Sequence, residues 1–190
     1  DVYKRQTFQL SAGRELTFVP ARGGLGEAVT IQANSIAAAM AEATDSNYRA
    51  LYVPENLSSE SYESLIKEPS VKEVLGLIDK AQVVIHSVGD ALVMARRRGM
   101  SSDTISMLKA KHAVAEAFGV FYDASGKVVY KIPQIGLQLA DLDHIPYVFA
   151  VAAGKSKSKA IAAYMQHAPS RTWLLTDVGA TNSILTGATR

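Results

Sequence analysis

The chain has 190 residues, 48% of them hydrophobic, and carries 20 Lys and Arg against 18 Asp and Glu. This suits one globular domain with a sizeable core, and it argues against disorder and against a whole-chain field aimed at nucleic acid or an anionic membrane. With no cysteine, disulfides, thiolate catalysis and Cys-ligated metal are excluded. No apolar run approaches the roughly 18 residues of a spanning helix.

The chain opens "DVYKRQ" without an initiator methionine, so Asp1 to Gln6 are read as a non-native segment outside the fold. "ELTFVP" is a short strand running into "ARGGLGE", where Gly23, Gly24 and Gly26 signal unusual dihedrals or a ligand pressed against the backbone. Val29, Ala33, Ile36 and Met40 then recur at helical spacing, predicting a helix from about Ala28 to Ala43. "YRALYVP" reads as a second strand. In "PSVKEVLGLIDKA", Val71, Val74, Leu75 and Ile78 mark an amphipathic helix, with Ser70 and Glu73 spaced as a capping box.

"AQVVIHSVG" supplies a further strand and "DALVMARRRG" a helix stopped by Gly99. "SSDTISMLKAKHAVAEAFG" reads as a capped helix stopped by Gly119, and "VFYDASGKVVYKI" as a hairpin turning at Asp123, Ser125 and Gly126. "IPYVFAVAA", "KSKSKAIAAYMQHA", "RTWLLTD" and "ATNSILTG" complete the chain as strand, helix, strand, helix. The alternation predicts an α/β fold: a mostly parallel sheet with helices on both faces and one antiparallel hairpin embedded in it. In such folds ligands gather beyond the carboxyl ends of strands.

Several residues after strands are candidates. Arg22, beside Gly23 and Gly24, offers a guanidinium fork and backbone N–H groups to a phosphate, or is a surface arginine at a turn. A dinucleotide fingerprint fails, because Val29 stands where its third glycine belongs. Gln32, on the apolar side of its helix, needs partners that are either sugar hydroxyls or backbone groups.

In "AVAAGKSKSKA", Gly154 opens a loop whose Lys155 and Lys157 oppose the dipole of the helix they start, which an anion would explain. A phosphate P-loop in its usual form is excluded by Phe149 at its first glycine position. Arg96, Arg97 and Arg98 complement the carbonyl end of their helix, with room for one to point inward. Glu116, among small and apolar neighbours, calls for an arginine or a ligand hydroxyl. His86, His112, His144 and His167 have no metal-type spacing, no nucleophile motif appears, and no cofactor motif is read.

Taken together, "RELTFVPARGGLGE", "QAN", "KEPSVKEVL", "MARRRG", "AVAEAFG", "IGLQL" and "TDVGAT" resemble the effector-binding domain of SorC/DeoR-type sugar-binding transcriptional regulators, specifically repressors of glycolytic genes. The match runs from about Thr7 to the end. The resemblance implies a Rossmann-type fold like that of ribose-5-phosphate isomerase and glucosamine-6-phosphate deaminase, used for sensing and not catalysis. Its implied ligand is fructose 1,6-bisphosphate, whose binding weakens operator binding. The family's pattern gives Arg22 and Lys157 to phosphate, and Gln32, Arg97 and Glu116 to sugar hydroxyls or phosphate.

The resemblance also implies an N-terminal DNA-binding domain and a glycine and threonine-rich phosphate loop that this sequence does not contain. Residues 7–190 are therefore expected to be an N-terminally incomplete effector domain of a cytoplasmic protein. Its expected partners are a phosphorylated sugar, operator DNA through that further domain, and other copies of itself, with no membrane. The competing expectation is an isomerase or deaminase on the same scaffold, using Glu116 or His86 as general base.

Overall fold

The computed structural model describes residues 15–24, 32–54 and 57–187. The chain divides into two compact units, residues 1–81 with 133–137 and residues 82–132 with 138–190.

In the first unit, β1 (Thr17–Phe18) lies parallel to β2 (Asn47–Tyr48), joined by the crossover helix α1 (Ala33–Ala43). α1 buries Asn34, Ala37 and Ala41, a stripe at helical spacing. The expected first turn from Ala28, with Val29 and Gly26, lies outside the described residues. The second strand is shorter than its sequence suggests, because pairing stops at Tyr48 while Leu51 and Val53 are buried without a ladder. Asn34 takes the ladder's place at Leu51: its Nδ2 donates to the Leu51 carbonyl and its Oδ1 accepts the Leu51 N–H, both at 3.0 Å.

Next come α2 (Ser59–Leu65), capped by Ser58 accepting the Ser61 N–H, and α3 (Pro69–Asp79). α3 buries Val71, Val74 and Ile78 as predicted. The capping box does not form. The helix starts two residues earlier, with Glu68 at the N-cap and Pro69 as its first residue, where proline's fixed φ and missing N–H fit. Ser70 is thereby inside the helix, and Glu73 faces Arg49 at 3.4 Å.

The second unit runs β3 (Val83–His86), β4 (Gly89–Asp90), α4 (Ala91–Arg97), α5 (Ser102–Ala110), β5 (Ala113–Ala117), β6 (Val120–Asp123) and β7 (Val128–Lys131). It continues through a 3-10 turn at Leu139–Asp143 to β8 (Tyr147–Val151), α6 (Ser158–Met165), β9 (Thr172–Leu175) and α7 (Val178–Leu185). β3, β8 and β9 form a parallel sheet in that order, whereas β4, β5, β6 and β7 form a separate antiparallel one. The expected embedded hairpin is thus half of a four-stranded sheet. On one face of the parallel sheet Val83, Ile85, Tyr147, Trp173 and Leu175 stand exposed.

The largest departure from expectation is "AVAEA". It is strand β5, not the end of a helix, and α5 stops at Ala110 before His112 turns with φ of 54°. Alanine and glutamate favour helix locally, but here they form an inner strand between β4 and β6, and packing overrides propensity. Gly119 stops no helix. With Phe118 it makes a two-residue hairpin turn in which both residues have positive φ, the geometry that matches strand twist. Ala91, Ala95, Leu108, Ala113, Phe121 and Ile132 close the core between this sheet and its helices.

Candidate functional site

Arg22, Gly23, Gly24 and Gln32 belong to the first unit, and Arg97, Glu116 and Lys157 to the second. In the first unit the backbone after β1 is zipped to the segment 135–137. The Gly23 N–H donates to the Ile135 carbonyl at 3.0 Å, the Leu137 N–H to Ala21 at 2.7 Å, and Arg22 bridges Gly136 antiparallel. Gly136 has φ of 131°, and a Cβ there would sit 2.5 Å from the Ala21 carbonyl oxygen and 2.6 Å from the Arg22 Cα. The "IGLQL" string is therefore the partner of the arginine loop. Arg22, half-buried, donates from Nη1 to Gln134 Oε1 at 3.2 Å.

The two adjacent glycines differ. A Cβ on Gly23 would lie 2.0 Å from Val53 Cγ2, so close packing explains that glycine without any ligand. Gly24 faces open space among the described residues, none of which comes within 4 Å of such a Cβ. Gln32 is the N-cap residue of α1 and not within the helix, its side chain making no cap bond while its carbonyl accepts the Ile36 N–H. The buried amide on α1 is Asn34, which sequence reasoning passed over although it stands in the same "QAN" string.

In the second unit α4 is capped by Asp90, which accepts the Val93 N–H, and ends before Gly99 at φ of 63°. Arg96 and Arg97 lie exposed in its last turn, complementing the helix dipole, and Arg98 turns inward. Glu116, 4% exposed on β5, takes two donors on one oxygen: Arg98 Nη2 at 3.0 Å and the Gly119 N–H at 2.6 Å. The partner anticipated for the glutamate is thus an arginine, and it is Arg98. One of these bonds also closes the β5–β6 turn, so Glu116 holds its own hairpin in shape.

His86 ends β3, buried against Phe118 with ring centroids 4.5 Å apart, and its Nε2 lies 3.1 Å from the Tyr164 hydroxyl. Burial raises the Tyr164 and Tyr122 phenols well above their ordinary range, so Tyr164 is neutral and able to donate to the imidazole. The Tyr122 hydroxyl, also buried, has no hydrogen-bond partner among the described residues.

The loop after β8 begins at Gly154, with φ of 100°, and leads through a 3-10 turn at Lys155–Lys157 into α6. The expected free N–H groups are partly used. Asp177 Oδ2 accepts the Gly154 N–H at 2.9 Å, and the Gly154 carbonyl accepts that of Lys157. Asp177 Oδ1 at the same time caps α7 through the Ala180 N–H at 2.7 Å. Among the described residues no carboxylate pairs with the Lys157 ammonium, no group of acidic or histidine side chains could hold a metal ion, and no helix is long and apolar enough to cross a membrane.

The family model described as "Putative sugar-binding domain" matches residues 5–186. The chain is 49% identical over 175 residues to the central glycolytic genes regulator of Bacillus subtilis, covering 92% of this chain and 51% of that protein. It therefore spans about half the length of that relative. Among crystal structures, a "putative SorC family transcriptional regulator from Enterococcus faecalis" superposes with a TM-score of 0.86 at 62% identity, covering 93% of this chain and 71% of that one. Full-length SorC from Klebsiella pneumoniae gives 0.79 at 19% identity, covering 93% of this chain and 59% of that one, which shows the shared fold. Parallel strands with crossover helices are the Rossmann-type architecture expected from the sequence. The chain belongs to the sugar-binding domain family of SorC/DeoR-type transcriptional regulators.

Proposed function

We propose that this domain is the effector sensor of a cytoplasmic, homo-oligomeric bacterial repressor of glycolytic genes, and that its ligand is fructose 1,6-bisphosphate. Binding weakens the hold of the whole protein on its operator, which is contacted through a further DNA-binding domain. The observation that carries this reading is the 49% identity, over nearly the whole chain, to the central glycolytic genes regulator. Arg22 and Lys157 hold phosphate, whereas Gln32, Arg97 and Glu116 bind sugar hydroxyls or phosphate, with Gly23 and Gly24 shaping the arginine loop.

The domain senses and does not catalyse. Glu116 is engaged on one oxygen by Arg98 and Gly119, and His86 is held by Tyr164, so both candidate bases are tied into the fold. A thermal-unfolding panel of sugars and sugar phosphates tests the reading. A one-site ligand at 100 times its Kd adds about 2.7 kcal/mol of stability. Stabilisation by fructose 1,6-bisphosphate but not by fructose supports the assignment, and an equal response to both sinks it.

A further inference from the structure

Gln134 is 4% exposed, and a buried amide must place its oxygen and nitrogen on suitable partners. Its Oε1 accepts from Arg22 Nη1 at 3.2 Å, and because a guanidinium has donors only, the facing atom must be the oxygen. Ile135 and Leu137, each 1% exposed, anchor the same segment, while Gly136 allows the backbone of Ala21 and Arg22 to come close. Backbone pairing thus fixes where Arg22 leaves the chain, and the bond to Gln134 helps to orient its guanidinium.

We infer that Gln134 is a positioning residue that aims Arg22 at a phosphate of the sugar ligand. The inference rests on the proposed role of Arg22. A neutral acceptor suits that task, because the bond orients the fork without cancelling its charge, whereas a carboxylate at the same place would compete with the phosphate for it. The guanidinium holds its N–H groups in one rigid plane, so a bond at one edge constrains the direction of the fork. Gln134 touches no ligand in this account and acts only through Arg22.

The test is calorimetric titration of fructose 1,6-bisphosphate into the full-length protein carrying Gln134→Glu, alongside wild type and Arg22→Ala. Glutamate keeps the length, the shape and an acceptor toward Arg22 but loses the amide donor, so the melting temperature is read beside the affinity to separate a packing defect from a misdirected Arg22. The expected result is an affinity at least tenfold weaker in Gln134→Glu, with a melting temperature no lower than wild type. Affinity within twofold of wild type, while Arg22→Ala binds poorly, overturns the role of Gln134 and leaves that of Arg22 standing. Unchanged affinity in Arg22→Ala overturns both. Should the glutamate variant not fold, Gln134→Met keeps length and neutrality but loses the acceptor; weaker binding supports the inference and wild-type affinity overturns it.

Discussion

Arg98 and Glu116 form a buried ion pair within the second unit, with Nη2 to Oε1 at 3.0 Å and side chains 3% and 5% exposed. Such a pair adds little stability over an apolar replacement, but removing one member strands the other charge. Arg98→Met is therefore expected to destabilise the protein by about 3–5 kcal/mol in urea denaturation. Arg98→Met with Glu116→Leu should recover much of that loss. A double variant less stable than the single one contradicts this account. The pair also bears on any binding study of Glu116, because its substitution loosens the Gly119 turn as well as removing the proposed ligand contact.

Gly23 and Gly24 are expected to separate packing from binding. Gly23→Ala forces a methyl into Val53 and should destabilise by about 1–3 kcal/mol. Val53→Ala should then be less harmful in the Gly23→Ala background than in wild type, as a double-mutant cycle would read. Gly24→Ala should stay within about 0.5 kcal/mol of wild type, so a fall in sugar-phosphate affinity there would report a ligand contact. A strongly destabilised Gly24→Ala contradicts the open space beside it.

Asp177 serves two elements at once, capping α7 and holding the Gly154 N–H. Asp177→Ala should remove about 1 kcal/mol of stability through the lost cap. Hydrogen exchange supplies the second readout, since the Gly154 amide should exchange much faster in the variant. Protection of that amide at the wild-type level would show that something other than Asp177 orders the loop.

Much of the parallel α/β frame was legible in the sequence. α3, β3, β8, α6, β9 and α7 follow their apolar periodicity, and the β6–β7 turn follows its Asp, Ser and Gly. β5 was not legible, because Ala and Glu in "AVAEAF" carry helical propensity and only pairing with β4 and β6 makes them a strand. The same pairing brings Glu116 beside Arg98, eighteen residues away. Arg22 stood out as a cation after a strand, whereas Gln134, distant in sequence, carries no local signal of its own. Its neighbour Gly136 was visible only as part of "IGLQL", with nothing to say that its φ and its contact with Ala21 serve the arginine loop.

Acid should act on the β6–β7 turn. The Asp123 carboxyl lies below its ordinary range, chiefly because Ser125 Oγ donates to it at 2.6 Å, helped by the N–H groups of Lys127 and Ser125. A carboxyl lowered on folding contributes stability above its unfolded pKa, and that contribution is lost as pH falls through the folded value. Unfolding curves taken from about pH 5 down to about pH 2 should fall less steeply for Asp123→Asn than for wild type. Parallel curves would show that the turn does not depend on the charge.

Calorimetric titration of the full-length protein with fructose 1,6-bisphosphate, in wild type and Arg22→Ala, tests the effector assignment most directly. Saturable binding is expected in wild type, binding at least tenfold weaker in Arg22→Ala, and no heat with unphosphorylated fructose. Equal binding of fructose and its bisphosphate, or a bisphosphate affinity indifferent to Arg22, would contradict the assignment.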